Sequence, residues 1–344
     1  MHNGVIGLLN ERKLDSILLA NSTEKRDSSF VYFTGIDMVT GYLVITNSKK
    51  ILFVSPLEYG IAKRYSKIKD IRLIDKDVYE NIKRISGKRI GVNYGNISVS
   101  GFKMMKKNLK AGLIDASEIL AELRAVKRKD EIEKIEKACR ITDSIYKRIF
   151  RDAKSMRTEQ EMKDAIEEMM RCYNVVPSFE VIVASGKHGA NPHHVSDSNK
   201  LKGMTVIDVG VKVKNYCSDM TRTICFGNPR RDELDAYHLV KSVQEACVRM
   251  VRSGENFNVI NRYALHSVGK GMMHGVGHGL GIDVHEAPFI SKEKSILKEG
   301  MVITIEPGIY IKNKFGIRIE DDVAVEKERG RVLSKTGKEL LIVS

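Results

Sequence analysis

Two aspartates sit where charge is costly. Residues 206–211 are apolar at almost every other position, yet Asp208 lies in their middle. A carboxylate in such a strand must be paired or bound to a cation. Asn215 is a natural turn residue. A turn centred on Lys214 and Asn215 sets Gly210 opposite Asp219 and Asp208 opposite Thr221. The separation of Asp208 and Asp219 is odd, so an even-length loop puts both on one face. Diagonal neighbours across a ladder lie ~7–8 Å apart, within reach of a bridging metal. The bland alternative is a solvent-facing pair with one member bonded to Arg222.

A Gly-rich segment, residues 274–286, holds His274, His278 and His285, three of the nine histidines in the chain. His274 and His278 are four apart, but Gly275 and Gly277 disfavour the helix that this spacing would need, and no HExxH motif is present. Glycines instead let backbone pass close to a crowded site. A phosphate cradle is the rival reading; the missing Lys-Ser/Thr ending and the histidines count against it. Glu306 interrupts an apolar strand just before Pro307 and Gly308, and Glu320 follows the alternating Ile317 and Ile319. Their separation is even, so a two-residue hairpin would put them on opposite faces. An odd loop or a bulge around residues 312–316 is needed for them to meet. Otherwise residues 320–322 read as an exposed acidic turn. Upstream, residues 184–194 form a polar loop with His188, His193 and His194. Of these, His188 and His194 read as surface residues.

Two Asp, one His and two Glu thus appear in order between positions 208 and 320. Four carboxylates in one pocket require compensating charge, which two divalent ions supply. A carboxylate-rich, nitrogen-poor donor set suits Mn²⁺, Fe²⁺ or Co²⁺ better than a Cys-type zinc site. Two such ions ~3.5–4 Å apart generate hydroxide at neutral pH and stabilise oxyanion charge, which is hydrolysis chemistry.

The elements that must position these residues fall in two parts. Residues 1–115 alternate short apolar runs (16–20, 41–46, 50–54, 71–74 and 89–92, read as strands) with helical patterns at 57–65 and 78–85. That alternation predicts an α/β unit. Residues 116–173 are helical: Asp130 is a candidate cap for a stripe from Ile132 to Ile149, and Thr158 with Glu161 has the capping-box form. Residues 174–344 offer strands at 181–184, 205–213, 220–227, 302–311 and 317–325, with helices at 237–252 and 259–269. The boundary falls near 115–125, giving domains 1–120 and 121–344.

The 344 residues, 42% hydrophobic and 30% charged, describe an ordinary globular protein. They exclude disorder, collagen and a small disulfide scaffold. No apolar run approaches the ~20 residues of a membrane span, and the N-terminus lacks a signal-peptide layout, which points to the cytoplasm. Five scattered cysteines give no disulfide framework; Cys217 and Cys225 are candidates to face each other across a hairpin as reduced thiols. The net charge of +14 raises nucleic-acid binding. Residues 1–120 hold 20 Lys+Arg against 12 Asp+Glu, and the remainder 38 against 32. Most bases sit beside acids, so a solvated surface explains the charge better.

The run Asp208-Val-Gly, Ser218-Asp219-Met-Thr-Arg, Gly277-His278-Gly through His285-Glu286, Thr304-Ile-Glu306-Pro-Gly and Arg318-Ile-Glu320-Asp resembles the pita-bread metallopeptidases. Within them it looks most like Xaa-Pro dipeptidases (prolidases) and aminopeptidases P. The resemblance implies an α/β N-terminal domain of the creatinase/prolidase type, followed by an α+β pita-bread catalytic domain. By that resemblance Asp208 chelates one metal, Asp219 and Glu320 bridge both, and His278 and Glu306 hold the second. Glu306 also accepts the proton of the attacking water. His193 and His285 bind the scissile carbonyl or the oxyanion, His274 lies on the substrate side, and Arg318 braces the carboxylates. The implied cofactors are two divalent ions per subunit, Mn or Co ahead of Fe or Zn. The implied substrates are Xaa-Pro dipeptides or short peptides; neither nucleic acid nor membrane is expected as a partner, and a homodimer is. One departure bears on substrate choice: Phe289 stands where some prolidases carry a basic residue after the His-Glu-x-Pro segment. Aminopeptidase P activity on longer peptides is the alternative. A creatinase-like hydrolase and a non-catalytic binding module of the same fold rank below it.

Overall fold

A computed structural model describes residues 2–290 and 295–344. The chain forms two compact units, Met1–Arg124 and Ala125–Ser344. The first is built on strands β1 (Ser16–Asn21), β2 (Gly41–Thr46), β3 (Lys50–Val54), β4 (Asp70–Leu73), β5 (Arg89–Val92) and β6 (Gly112–Asp115). They form one mixed sheet in the order β4-β3-β2-β1-β5-β6. β1 to β3 pair antiparallel, while β4, β5 and β6 join in parallel. The helices Val78–Ser86 and Val99–Leu109 cover one face, packing Val78, Ile82, Met105 and Leu109 on Leu18, Val44, Phe53 and Ile90. Four elements of this unit were not foreseen: the helices His2–Glu11, Ser28–Thr34 and Val99–Leu109, and the strand β6. The helix Ser28–Thr34 is buried all round, so it shows no amphipathic stripe; Asp27 caps it by accepting from Ser29 N and Phe30 N. β6 is a short edge strand that carries no apolar alternation.

The second unit opens with a 24-residue helix, Lys129–Asp152, whose buried stripe includes Ile135, Ala138, Ile145, Tyr146 and Ile149. Arg128, not Asp130, is its N-cap: Glu131 reaches back to accept from Arg128 N at 3.0 Å, which places Asp130 inside the first turn. The helix Glu159–Cys172 is capped as expected by Thr158, which accepts from Glu161 N at 3.1 Å. Helices Arg231–Met250 and Phe257–Val268 follow. Three of the predicted strands in this unit are divided in two, while Met220–Phe226 runs unbroken. Gly203–Val209 stops before Val211–Val213, Val302–Ile305 before Gly308–Ile311, and Phe315–Arg318 before Asp321–Val325. The divisions fall beside the acidic residues that matter. All five cysteines are free. Cys217 pairs with Lys212 and Cys225 with Met204, so the two cysteines lie on the same arm of the hairpin and do not face each other. Among the described residues, no helix is long and apolar enough to cross a membrane.

Candidate metal centre

The first hairpin has the register that its turn chemistry predicts. Thr221 pairs with Asp208, Met220 with Val209 and Tyr216 with Val213, around Lys214 and Asn215 at φ +48° and +71°. Two successive left-handed residues make a turn whose twist matches the strands. Gly210 is obligatory opposite Asp219, because a Cβ there would lie 2.2 Å from Ser218 O. Asp208 and Asp219 are both buried on the same face.

Glu306 and Glu320 meet through an odd loop. Ile311 pairs with Phe315 across three residues, with Asn313 at φ +62°, and the register continues through Gly308–Arg318 to Ile305–Asp321. Glu306 and Glu320 are therefore directly opposite. Pro307 has no N–H to give the ladder, so pairing breaks at this point. Each glutamate turns its own N–H elsewhere: Glu306 N donates to Val276 O at 2.7 Å and Glu320 N to Thr221 O at 3.1 Å. The break thus ties three segments together. Residues 320–322 are buried and not an exposed turn. Arg222 bonds Asp321 at 2.7 Å and neither site aspartate.

The Gly-rich segment runs beside residues 302–306 as an irregular strand: Thr304 N donates to His278 O at 2.8 Å and Leu280 N to Val302 O at 2.9 Å. A Cβ on Gly277 would lie 2.0 Å from Thr304 O, and one on Gly279 2.4 Å from Ala287 O. The glycines let His278 in. His278 Nδ1 lies 3.2 Å from Gly279 O, which can only accept, so this nitrogen donates and Nε2 points inward. Nε2 is 3.3 Å from Glu306 Oε1 and 3.7 Å from Asp219 Oδ2. Ligand atoms of Asp219, His278 and Glu320 lie within 4.8 Å of one another.

Arg318 closes the pocket floor. Its Nη2 donates to Asp208 Oδ2 at 2.6 Å, its Nε to Thr221 Oγ1 at 3.0 Å and its Nη1 to the Tyr310 hydroxyl at 3.0 Å. Thr221 in turn donates to Glu320 Oε2 at 2.7 Å. His274 Nδ1 donates to Gly275 O at 2.8 Å, leaving Nε2 to accept from Tyr310 at 2.7 Å. All nine site residues expected from sequence line one cavity of about 590 Å³. His193 and His285 are exposed at its wall, and the ring centroids of His285 and His278 are 4.1 Å apart. Thr221, which links Glu320 to Arg318, and Tyr310, which links His274 to it, were not foreseen; each is an ordinary strand residue by type. His188 and His194, expected at the surface, instead bond the buried Glu159.

The charge balance is incomplete. Four carboxylates face one guanidinium and two imidazoles, those of His278 and His274. Burial, then the Glu320 and Asp208 charges, push Asp219 well above its ordinary pKa. Burial, then Glu306 and Asp208, do the same to Glu320, and burial raises Asp208 against the pull of Arg318. Glu306 is the exception: burial opposes its ionisation, but His278, His274 and Arg318 outweigh this and bring it down to about 2. Burial opposes His278 protonation and Glu306 overcomes it. Partial desolvation and the neighbouring His278 lower His285. Asp208 Oδ1 is buried with no hydrogen-bond partner. A carboxylate oxygen without a donor, beside groups that ionise only at a penalty, fits a cation site. An inward Nε2 with Nδ1–H on a carbonyl is the usual orientation of a metal-binding histidine.

These features belong to a metallopeptidase. Residues 133–327 match the model of metallopeptidase family M24 and residues 2–126 that of the creatinase/prolidase N-terminal domain. The chain belongs to family M24 and has the pita-bread fold behind a creatinase-type N-terminal domain. It is 33% identical to the Xaa-Pro dipeptidase of Pyrococcus furiosus, over 98% of both chains. Among solved structures it is similar to the prolidase from Pyrococcus horikoshii OT3 (30% identity, 99% of each chain, TM-score 0.90). It is also similar to the X-Pro aminopeptidase from Thermotoga maritima (27% identity, 97% of this chain and 99% of the other, TM-score 0.89).

Proposed function

We propose that this chain is an Xaa-Pro dipeptidase that hydrolyses the peptide bond preceding proline, with its catalytic machinery in residues 121–344. The observation that carries the reading is the convergence of Asp208, Asp219, His278, Glu306 and Glu320 on one buried pocket that is short of positive charge. Asp208 would hold one ion, Asp219 and Glu320 both, and His278 with Glu306 the second. Two divalent ions there, Mn or Co ahead of Fe or Zn, would offset the carboxylates and acidify a water to neutral pH.

The remaining steps belong to the protein. Glu306 would turn a carboxylate oxygen to the attacking water and accept its proton. His193 and His285 stand at the cavity wall, where an imidazole N–H can donate to the carbonyl oxygen as charge develops on it. Arg318 holds Asp208 in place and, through Thr221, Glu320. Phe179, Ile182, Val195, Met273 and Val284 give the cavity an apolar wall suited to a pyrrolidine ring. The imide nitrogen of an Xaa-Pro bond carries no N–H, so shape and carbonyl contacts must select it. We place the enzyme in the cytoplasm as a homodimer.

One observation favours cleavage of longer peptides, the aminopeptidase P reaction. Among the described residues that line the cavity, Arg318 is the single Lys or Arg, and it is already held by Asp208 and Tyr310. A dipeptide carboxylate needs a cation from elsewhere. Elemental analysis of purified protein beside turnover of Ala-Pro and Ala-Pro-Ala decides. Bound divalent metal with faster Ala-Pro cleavage is expected. Faster Ala-Pro-Ala cleavage selects the second reading, and cleavage of neither peptide by metal-loaded protein overturns both.

A further inference from the structure

A second group of metal-type side chains shares no ligand with the centre, although one of its members, His194, also lines the cavity. Glu159 opens the helix Glu159–Cys172, and its carboxylate is fully buried. Its Oε1 accepts from Ser185 N at 2.7 Å and Asn199 Nδ2 at 3.1 Å. Its Oε2 faces His194 Nε2 at 2.7 Å, and His188 Nδ1 lies 3.1 and 3.3 Å from the two oxygens. The two imidazole rings are 4.3 Å apart. Asp197 completes the group from the exposed side; ligand atoms of Glu159, His188, His194 and Asp197 all fall within 4.8 Å of one another.

We propose that Glu159, His188, His194 and Asp197 form a separate binding site for one divalent transition-metal ion of the zinc type. Charge is the first argument. Two neutral imidazoles and two carboxylates sum to −2, which one divalent ion cancels. Protons cancel it less well, because two imidazoliums 4.3 Å apart repel each other over a single buried anion. Among the described residues, the ion-pair partners of Glu159 are these same two histidines.

Geometry is the second argument. Bonds of 2.0–2.2 Å to a tetrahedral ion place donor atoms about 3.3–3.6 Å apart. The observed set lies within roughly an ångström of that. His194 and Glu159 must open from hydrogen-bond distance, and both imidazoles must move their proton to the outward nitrogen. Glu159 Oε1 keeps its two donors meanwhile, the kind of support that orients a ligating carboxylate. Two imidazole nitrogens and two carboxylate oxygens suit zinc or cobalt better than magnesium or calcium. Asp197 is exposed and gives the ion a path in. All three ligands contributed by residues 188–197 flank His193, so an ion here fastens to the helix the loop that carries a cavity-wall histidine.

The test is independent of peptide turnover. The full-length protein is equilibrated with excess zinc sulfate and desalted, and its zinc is measured against protein. Crystals of the same sample give anomalous scattering at the zinc edge. Wild type is expected to retain one more equivalent than the Glu159→Gln and His188→Ala/His194→Ala variants, with an anomalous peak between Glu159, His188 and His194. Equal zinc in wild type and variants, or no peak at this position in zinc-saturated wild type, overturns the proposal. The wild-type peak decides alone if a variant fails to fold.

Discussion

The two clusters use the same side-chain types and keep opposite accounts. At the cavity centre four carboxylates share Arg318, His278 and His274, and Asp208 Oδ1 is left without a donor. At Glu159 one carboxylate is surrounded by donors from Ser185, Asn199, His188 and His194. The first site is short of positive charge, whereas the second has its hydrogen bonds made and takes a cation only when both imidazoles turn their proton to the outward nitrogen. Proximity of ligand-type residues therefore does not tell a site that is short of positive charge from one that must first give up hydrogen bonds to take an ion. The count of donors against buried acceptors does.

The sharpest way to break this contrast is to remove a carboxylate from each side. Asp219→Ala deletes a group that faces His278 at 3.7 Å and lies among the acidic residues of the centre. Metal content is expected to fall, with Xaa-Pro turnover down by about a thousandfold or more, a magnitude in keeping with loss of metal-ion catalysis. Glu159→Gln leaves the centre's ligands in place, so metal at the centre is retained. Wild-type turnover in Asp219→Ala, with unchanged metal, removes the centre from the mechanism.

How far the sequence could be read follows the same division. Regular elements were legible where apolar residues run together, as in β1, β2, β3 and β5, or recur along one helix face, as in Lys129–Asp152. The Asp208–Asp219 hairpin was legible because a two-residue turn fixes register. The meeting of Glu306 and Glu320 was not, since parity alone left it open until the three-residue loop around Asn313 resolved it. The roles of Tyr310 and Thr221 were hidden because neither residue type is unusual in a strand. His188 and His194 were misread because their partner, Glu159, lies 29 and 35 positions upstream in a helix that shows a cap signal and nothing more.

A second test uses pH on metal-free protein. Asp208, Asp219 and Glu320 have raised folded-state pKa values, and burial brings Asp322 up to about 7. An acid whose pKa rises on folding contributes stability that is full below its unfolded pKa near 4. That stability is lost as pH climbs to and through the folded value. Glu306 has the opposite sign, but its window lies at and below about pH 4.5, where its ordinary value falls to about 2. As pH rises from 5 to 7 the chelator-treated protein is therefore expected to lose stability, read as a falling Tm. Metal-loaded protein holds Asp219 and Glu320 ionised and should show a shallower slope. A Tm of the metal-free protein that does not change over this range would mean that the centre is not short of cations.

The smallest expected effect sharpens the contrast within the centre itself. Tyr310 joins two groups that never touch: its hydroxyl accepts from Arg318 Nη1 and donates to His274 Nε2. Tyr310→Phe keeps the ring and removes the hydroxyl, leaving a buried guanidinium nitrogen and an imidazole each one partner short. A lost hydrogen bond of about 1 kcal/mol corresponds to a decrease of roughly fivefold in kcat. If His274 is held in place through Tyr310, His274→Ala and the double variant should lose the same amount, because the second change removes an interaction already gone. If the two losses add, His274 acts on the substrate by a separate route, and Tyr310 serves Arg318 alone.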